Sequence, residues 1–173
     1  MRRTFASLNA QEALQVAIFI EDRNAGIYHR FAEMFTEFRD PDSLEIARVF
    51  GDTAVDERRR SGVLQEKYQQ RYGNASCVFT EEDLQDTIAV PRLGHGDVFA
   101  DPTTAKDSRR EPALQVALAA EHSAQNYYSR LAEQTKDTRL RRLYNELATM
   151  EEGHVAYLEN VLSAFANEDK GVH

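Results

Sequence analysis

Four glutamates and a histidine interrupt otherwise apolar helical seams in this 173-residue chain: Glu21, Glu57, Glu121, Glu151 and His154. Glu21 follows Leu14 by seven residues and precedes Tyr28 by seven, so on a helix it shares their inward face. Glu57 lies between Ala54 and Leu64 in the same manner, and Glu121 and Glu151 break two later seams. His154 stands three residues after Glu151 and points the same way, because residues three apart are neighbours on a helix. Burying such carboxylates unpaired costs on the order of several kcal/mol per ion even after relaxation, so something must neutralise them. Carboxylate oxygens with a neutral imidazole suit iron, manganese or zinc, and a bundle core excludes competing water ligands. The chemistry expected is therefore a divalent metal held between helices.

The elements that must position these residues are long helices. Apolar spacings of three and four run through Leu14, Ala17/Ile18, Ala25, Tyr28, Ala32 and Phe35, predicting a helix over 10–38 with Asn9 and Glu12 as a capping pair. A second seam, Ala47, Phe50, Ala54, Leu64 and Tyr68, predicts a helix over 43–72, capped by Asp42 or Ser43 and closed near Gly73. Leu114, Ala117/Leu118, Ala124, Tyr128 and Leu131 predict a third over 111–135. Leu140, Leu143, Leu147, Leu158, Val161 and Phe165 predict a fourth over 138–166. Short turns within each pair make both pairs antiparallel hairpins. Residues 73–110, which hold Pro91 and Pro102, form the expected crossover, with a short helix at Glu81 to Thr87. The acidic tail 167–173 is expected to be disordered. The whole is read as one all-α domain, a four-helix bundle of two hairpins.

The hairpins are copies of one another. A shift of 100 residues lays Ala13-Leu14-Gln15-Val16-Ala17 on the identical string Ala113-Leu114-Gln115-Val116-Ala117, and brings Glu21 onto Glu121 and Tyr28 onto Tyr128. The second helices align at a shift of 94, which puts Phe50 on Tyr144, Ala54 on Ala148, Glu57 on Glu151 and Leu64 on Leu158.

With these residues in place the chain resembles the ferritin-like superfamily, and within it the di-iron bundles of rubrerythrin and bacterioferritin type. Their motif is Glu on the first helix, Glu-x-x-His on the second, Glu on the third and Glu-x-x-His on the fourth. The matching residues here are Glu21, Glu57 in Phe50-Gly51-Asp52-Thr53-Ala54-Val55-Asp56-Glu57, Glu121, and Glu151-Glu152-Gly153-His154. The resemblance implies a ferritin-like fold, iron as metal, dioxygen or peroxide as oxidant, and a homo-oligomer, dimer or larger. It also implies roles: Glu21 as terminal ligand, Glu57 and Glu151 as bridging ligands, Glu121 and His154 as terminal ligands of the better site. Tyr28 and Tyr128 read as seam packing with a hydrogen bond to a site carboxylate, a redox-active phenol being the alternative.

The chain departs from that pattern at Arg60, which stands where the second-helix histidine belongs. A guanidinium stays charged and cannot ligate a metal. Arg60 has two readings: an inward arm pairing with Glu57 or Glu21, favoured by the spacing of three, or an outward continuation of the basic run Arg58-Arg59. Ala124 replaces a second third-helix glutamate common in rubrerythrins, and no Cys-x-x-Cys pair supplies an iron–sulfur module. Two functions follow. One is an Fe(II)-oxidising metal-carboxylate protein; the other is a non-enzymatic bundle, with one metal or none, in which Arg60 takes over one metal position.

The remaining titratable groups read as ordinary. His122 is about 100° round the helix from Glu121 and is expected to be exposed, as are His29 and His95. Cys77 is expected to be a small buried residue rather than a reactive thiol. With 29 acidic against 21 basic residues and a single basic cluster, nucleic acid is not expected as a partner. No apolar run approaches the roughly 18 to 20 residues of a membrane span, and polar residues interrupt any signal segment after Met1-Arg2-Arg3, so a soluble cytoplasmic protein is expected.

Overall fold

The computed structural model describes residues 4–74, 79–84, 87, 88 and 109–168. After a single 3-10 turn at Phe5–Ser7 come α1 (Ala10–Thr36), α2 (Pro41–Tyr72), the one-turn α3 (Glu81–Leu84), α4 (Arg110–Gln134) and α5 (Thr138–Glu168). The architecture is the expected all-α four-helix bundle. The tail expectation is corrected at its start, since residues 167 and 168 continue α5; 169–173 lie outside the described residues. Cys77, His95, Pro91 and Pro102 also lie outside them. The short crossover helix ends at Leu84 rather than Thr87, which sits in a turn.

The helix starts follow from side chains that satisfy otherwise orphaned amides. The Asn9 carbonyl oxygen accepts from the Glu12 amide at 2.9 Å, and the Glu12 carboxylate accepts from the Asn9 amide at 3.0 Å, a reciprocal capping box. For α2 the expected cap is corrected: Asp40, not Asp42 or Ser43, accepts from the Ser43 amide at 2.9 Å. Pro41 then takes the first helical position, where its missing N–H costs nothing. Gly73, at φ 67, ends α2 in the left-handed region that suits glycine. Asp137 starts α5 by accepting from the amides of Arg139 (2.9 Å) and Leu140 (3.1 Å).

Each hairpin packs its own two helices together, and the hairpins join through α1 against α4. No Cα of α2 comes within 8 Å of one in α5, so the seam on that side is the wider one. The α1–α4 side is closed by small residues, Ala17, Ala113, Ala117, Ala120 and Ala124 all being buried. Hydrogen bonds from Tyr127 to the Ala13 carbonyl (2.9 Å) and from Tyr128 to the Ala17 carbonyl (3.4 Å) tie the same two helices. The apolar core falls into two layers. One holds Leu14, Ile20, Leu64, Tyr128 and Leu147; the other holds Phe31, Phe35, Phe50, Leu114 and Leu158. In every long helix the inward glutamate lies in sequence between residues of the two layers, so the acids form a polar slab inside an apolar column. Among the described residues no helix is long and apolar enough to cross a membrane.

Candidate metal centre

Each helix delivers one carboxylate to the slab, and Glu21, Glu57, Glu121 and Glu151 are all fully buried. His154 reaches them from the next turn of α5. Its Nδ1 lies 3.0 Å from Glu151 Oε2, 3.3 Å from Glu121 Oε1 and 3.4 Å from Glu57 Oε1. Arg60 takes the inward of its two readings. Its Nε donates to Glu21 Oε2 at 2.7 Å, its Nη2 donates to Glu57 Oε1, and Nη2 lies 3.5 Å from Glu151 Oε1. The two tyrosines cross between hairpins: Tyr28 on α1 donates to Glu121 Oε1 on α4, and Tyr128 on α4 donates to Glu21 Oε1 on α1. Phe50 packs edge-on against Tyr28 with ring centroids 5.1 Å apart, which fixes the phenol from the apolar side.

The electrostatics follow from this arrangement. Burial, then the Glu151, Glu21 and Glu121 charges, push Glu57 well above the usual carboxylate range, against the pull of Arg60. Burial and the Glu121 charge lift Glu151 to about 7. Burial and Glu151 also raise Glu21, with Arg60 and Tyr128 working against them. Glu121 goes the other way: burial opposes its charge, but hydrogen bonding to His154, Glu151 and Tyr28 with the His154 charge outweighs burial and lowers it. His154 rises to about 9 because hydrogen bonds to Glu121 and Glu151 overcome its own desolvation. Arg60, desolvated but facing three carboxylates, is held still more firmly protonated than usual. Burial and the adjacent glutamates keep both phenols neutral, hence donors.

Whether these residues fit a metal is decided by the carboxylate oxygens. Both Glu21 oxygens are engaged, by Tyr128 and Arg60. Glu57 Oε2, Glu121 Oε2 and Glu151 Oε1 are buried without a hydrogen-bond partner. An acceptor left so is costly, and such orphans demand an explanation. One donor atom from each of Glu57, Glu121, Glu151 and His154 lies within 4.8 Å of the others, a spacing that can hold one ion. On the Glu21 side the Arg60 guanidinium is bonded to Glu21 and Glu57. One polar residue of the slab was not singled out by spacing. Asn24 is fully buried three residues after Glu21; its carbonyl oxygen accepts from Arg23 and its amide nitrogen has no hydrogen-bond partner. The available signal was a polar residue in the line Ala17, Ile20, Ile27, Phe31. His29 and His122 are exposed as expected, His122 with Glu159 at 3.9 Å.

Comparisons with known proteins find the same kind of all-helical bundle. The Rubrerythrin family model matches residues 113–173, which include α5 and most of α4. A hypothetical protein from Pyrococcus furiosus superposes with a TM-score of 0.70 at 21% identity, over 94% of this chain and 93% of that one. An uncharacterised conserved protein from Magnetospirillum magnetotacticum superposes with a TM-score of 0.63 at 25% identity, over 91% of this chain and 95% of that one. No curated protein matches the chain. The second hairpin of the chain is thus similar to the Rubrerythrin family, and the whole chain shares its fold with these two solved structures.

Proposed function

We propose that this protein binds a single metal ion of the iron, manganese or zinc class in the bundle core, through Glu57, Glu121, Glu151 and His154, with Arg60 standing in for a second ion. The observation that carries this reading is the division of carboxylate oxygens: Glu57, Glu121 and Glu151 each keep one buried oxygen without a hydrogen bond, that of Glu151 lying 3.5 Å from Arg60 Nη2, while both oxygens of Glu21 are hydrogen-bonded. In this reading Glu21 holds Arg60 in place rather than acting as the terminal ligand that the family resemblance assigns. Charge supports the same count. Four carboxylates against one guanidinium and one divalent ion leave about one negative charge, whereas a second divalent ion would have to share the site with a fixed cation it repels.

Iron is the metal that the resemblance to rubrerythrins favours, and when bound it would supply Lewis-acid and redox chemistry. The chain's own residues supply the donor atoms, the dry surroundings and, through Arg60, a charge that does not titrate. A two-iron site oxidising Fe(II) with dioxygen or peroxide is the second reading, supported by the Rubrerythrin match and by the five motif positions present. It requires Arg60 to leave its carboxylates.

The test is elemental analysis of protein loaded anaerobically with Fe(II), followed by oxygen uptake on the same sample. One iron per chain, lost in Glu151→Ala while the protein stays helical, is expected. Two irons per chain with rapid oxygen uptake would replace this reading with the second.

A further inference from the structure

We propose that the cation passes in and out of the core between α2 and α5, across a mouth rimmed by Val63 and Met150. This inference rests on the single-ion reading above and adds the path by which the site is filled.

The site is sealed on its other sides. Its four carboxylates and both tyrosines have essentially no solvent contact, and Ile20, Ala25, Ala120 and Ala124 beside them are likewise buried. The crosslinks from Tyr127 and Tyr128 to α1 carbonyls hold the α1–α4 seam shut. Only two residues of the constellation reach solvent: the Arg60 side chain is 12% exposed and the His154 side chain 24%. They lie on α2 and α5, whose Cα atoms nowhere come within 8 Å of one another. The wide seam and the two exposed site residues therefore coincide.

The rim follows from helical geometry. Val63 is three residues beyond Arg60, and Met150 is four residues before His154, so each shares a face with its site residue one turn away. Both are large apolar side chains left exposed, at 44% and 47%. Met150 is unbranched and changes rotamer readily, which suits a rim that must yield to a passing ion. Beneath the rim, Arg60 and His154 are the first site groups an ion meets, and both are in contact with the fully buried Glu57 and Glu151, each of which keeps one oxygen without a hydrogen bond.

The path is tested by stopped-flow loading of the metal-free full chain with cobalt(II) chloride, read from the visible absorption of the bound ion and, for release, from its decay with excess chelator. Val63→Trp and Met150→Trp are expected to slow loading and release alike by at least tenfold (about 1.4 kcal/mol of barrier) with the final stoichiometry unchanged. Val55→Trp places the same bulk on α2 at an exposed position turned about 140° from Arg60, and is expected to load within twofold of wild type. Met150→Ala, which opens the rim and needs no space, is expected to load faster, and it decides the matter if a tryptophan variant fails to fold. Wild-type rates in the folded rim variants would overturn the path while leaving the metal site standing. Failure of wild type to bind cobalt(II) at all would overturn the metal site, and the path with it.

Discussion

Arg60 holds in one half of the site the position that His154 holds in the other. The 94-residue register of the second helices pairs them, and their partners correspond: Arg60 meets Glu21, Glu57 and Glu151, while His154 meets Glu121, Glu151 and Glu57. The tyrosines obey the same internal symmetry, each bonding the glutamate of the opposite hairpin. A two-fold arrangement thus survives in the glutamates and tyrosines and is broken at Arg60 and His154, and again at Asn24, whose counterpart is Ala124. At the Arg60–His154 pair a permanent cation stands where the other half carries an imidazole.

Replacing that cation by a donor is the direct consequence to test. Arg60→His is expected to raise the metal capacity from one ion per chain to two, because the imidazole would occupy the counterpart place of His154 and release Glu21 and Glu57 Oε1 from the guanidinium. Titration with Fe(II) under anaerobic conditions, followed by elemental analysis, reads the count. Capacity that stays at one would show that Arg60 is not what limits it.

Arg60→Met addresses stability instead. Removing one partner of a buried ion-pair network leaves uncompensated acids, at a cost of about 3 to 5 kcal/mol. Protonation of Glu57 and Glu21, both already raised, softens that cost, so a loss near the lower end is expected in metal-free protein. Urea unfolding with and without divalent metal measures it. An unchanged midpoint would mean that the Arg60 contacts contribute nothing net.

The two tyrosines should differ despite their symmetry. Tyr28 holds Glu121, whose other oxygen is unpartnered and within the group that can hold an ion; Tyr128 holds Glu21, which is outside it. Loss of an outer hydrogen bond to a metal ligand typically weakens binding by about 10- to 100-fold. Tyr28→Phe is therefore expected to weaken metal binding by roughly that factor, and Tyr128→Phe to weaken it much less. Competition with a metal-indicator dye measures both, and equal losses would place Glu21 among the ligands after all.

Much of this arrangement was legible in the sequence because its signals are periodic. Seven-residue spacings put Glu21 and Glu121 on inward faces, and the repeat assigned partners across hairpins. What was not legible depends on neighbours distant in the chain. Spacing offers Glu57 or Glu21 as the partner of an inward Arg60, but not that the guanidinium reaches both and comes within 3.5 Å of Glu151 as well. The line Ala13, Ile20, Ile27, Phe31 falls outside the single seam that the spacing of Leu14, Tyr28 and Phe35 defines, because α1 lies against both α2 and α4 and is buried on two sides. The α2 cap was misplaced because Ser43 and Asp42 are also good caps; Pro41 settled it by preferring the first helical position to a place before the helix.

Away from the site, Asp137 predicts a pH dependence. It caps α5 and pairs with Arg71 at the end of α2, and that pairing with the two amide hydrogen bonds lowers its carboxyl to about 2 from 3.8. A carboxyl depressed by folding contributes stability above its unfolded value and loses it as pH falls through the folded one. Thermal unfolding of wild type should therefore show a loss between about pH 4 and 2 that Asp137→Asn lacks, since asparagine keeps a capping oxygen but has no charge to lose. The difference in Tm between the two proteins is expected to shrink across that window, and a constant difference would remove Asp137 from the account of acid sensitivity.

Phe50 links the apolar column to the site. Its ring lies edge-on to Tyr28 (centroids 5.1 Å apart) and Phe35 (5.6 Å) and tilted against Phe31 (6.2 Å), with no exposed surface. Phe50→Ala would empty the centre of this cluster and is expected to cost about 3 to 5 kcal/mol. Phe50→Leu is the more informative change, because it keeps most of the apolar volume while removing the flat surface against which Tyr28 is set. It is expected to cost roughly 1 to 2 kcal/mol in urea unfolding. It should also weaken metal binding, because a phenol free to tilt no longer fixes Glu121. The double variant Phe50→Leu with Tyr28→Phe separates the two effects: if Phe50 acts on the metal only through the phenol, adding Phe50→Leu to Tyr28→Phe should leave the affinity where Tyr28→Phe alone puts it. Additive losses would mean that Phe50 shapes the site by another route, through the backbone of α2 that carries Glu57.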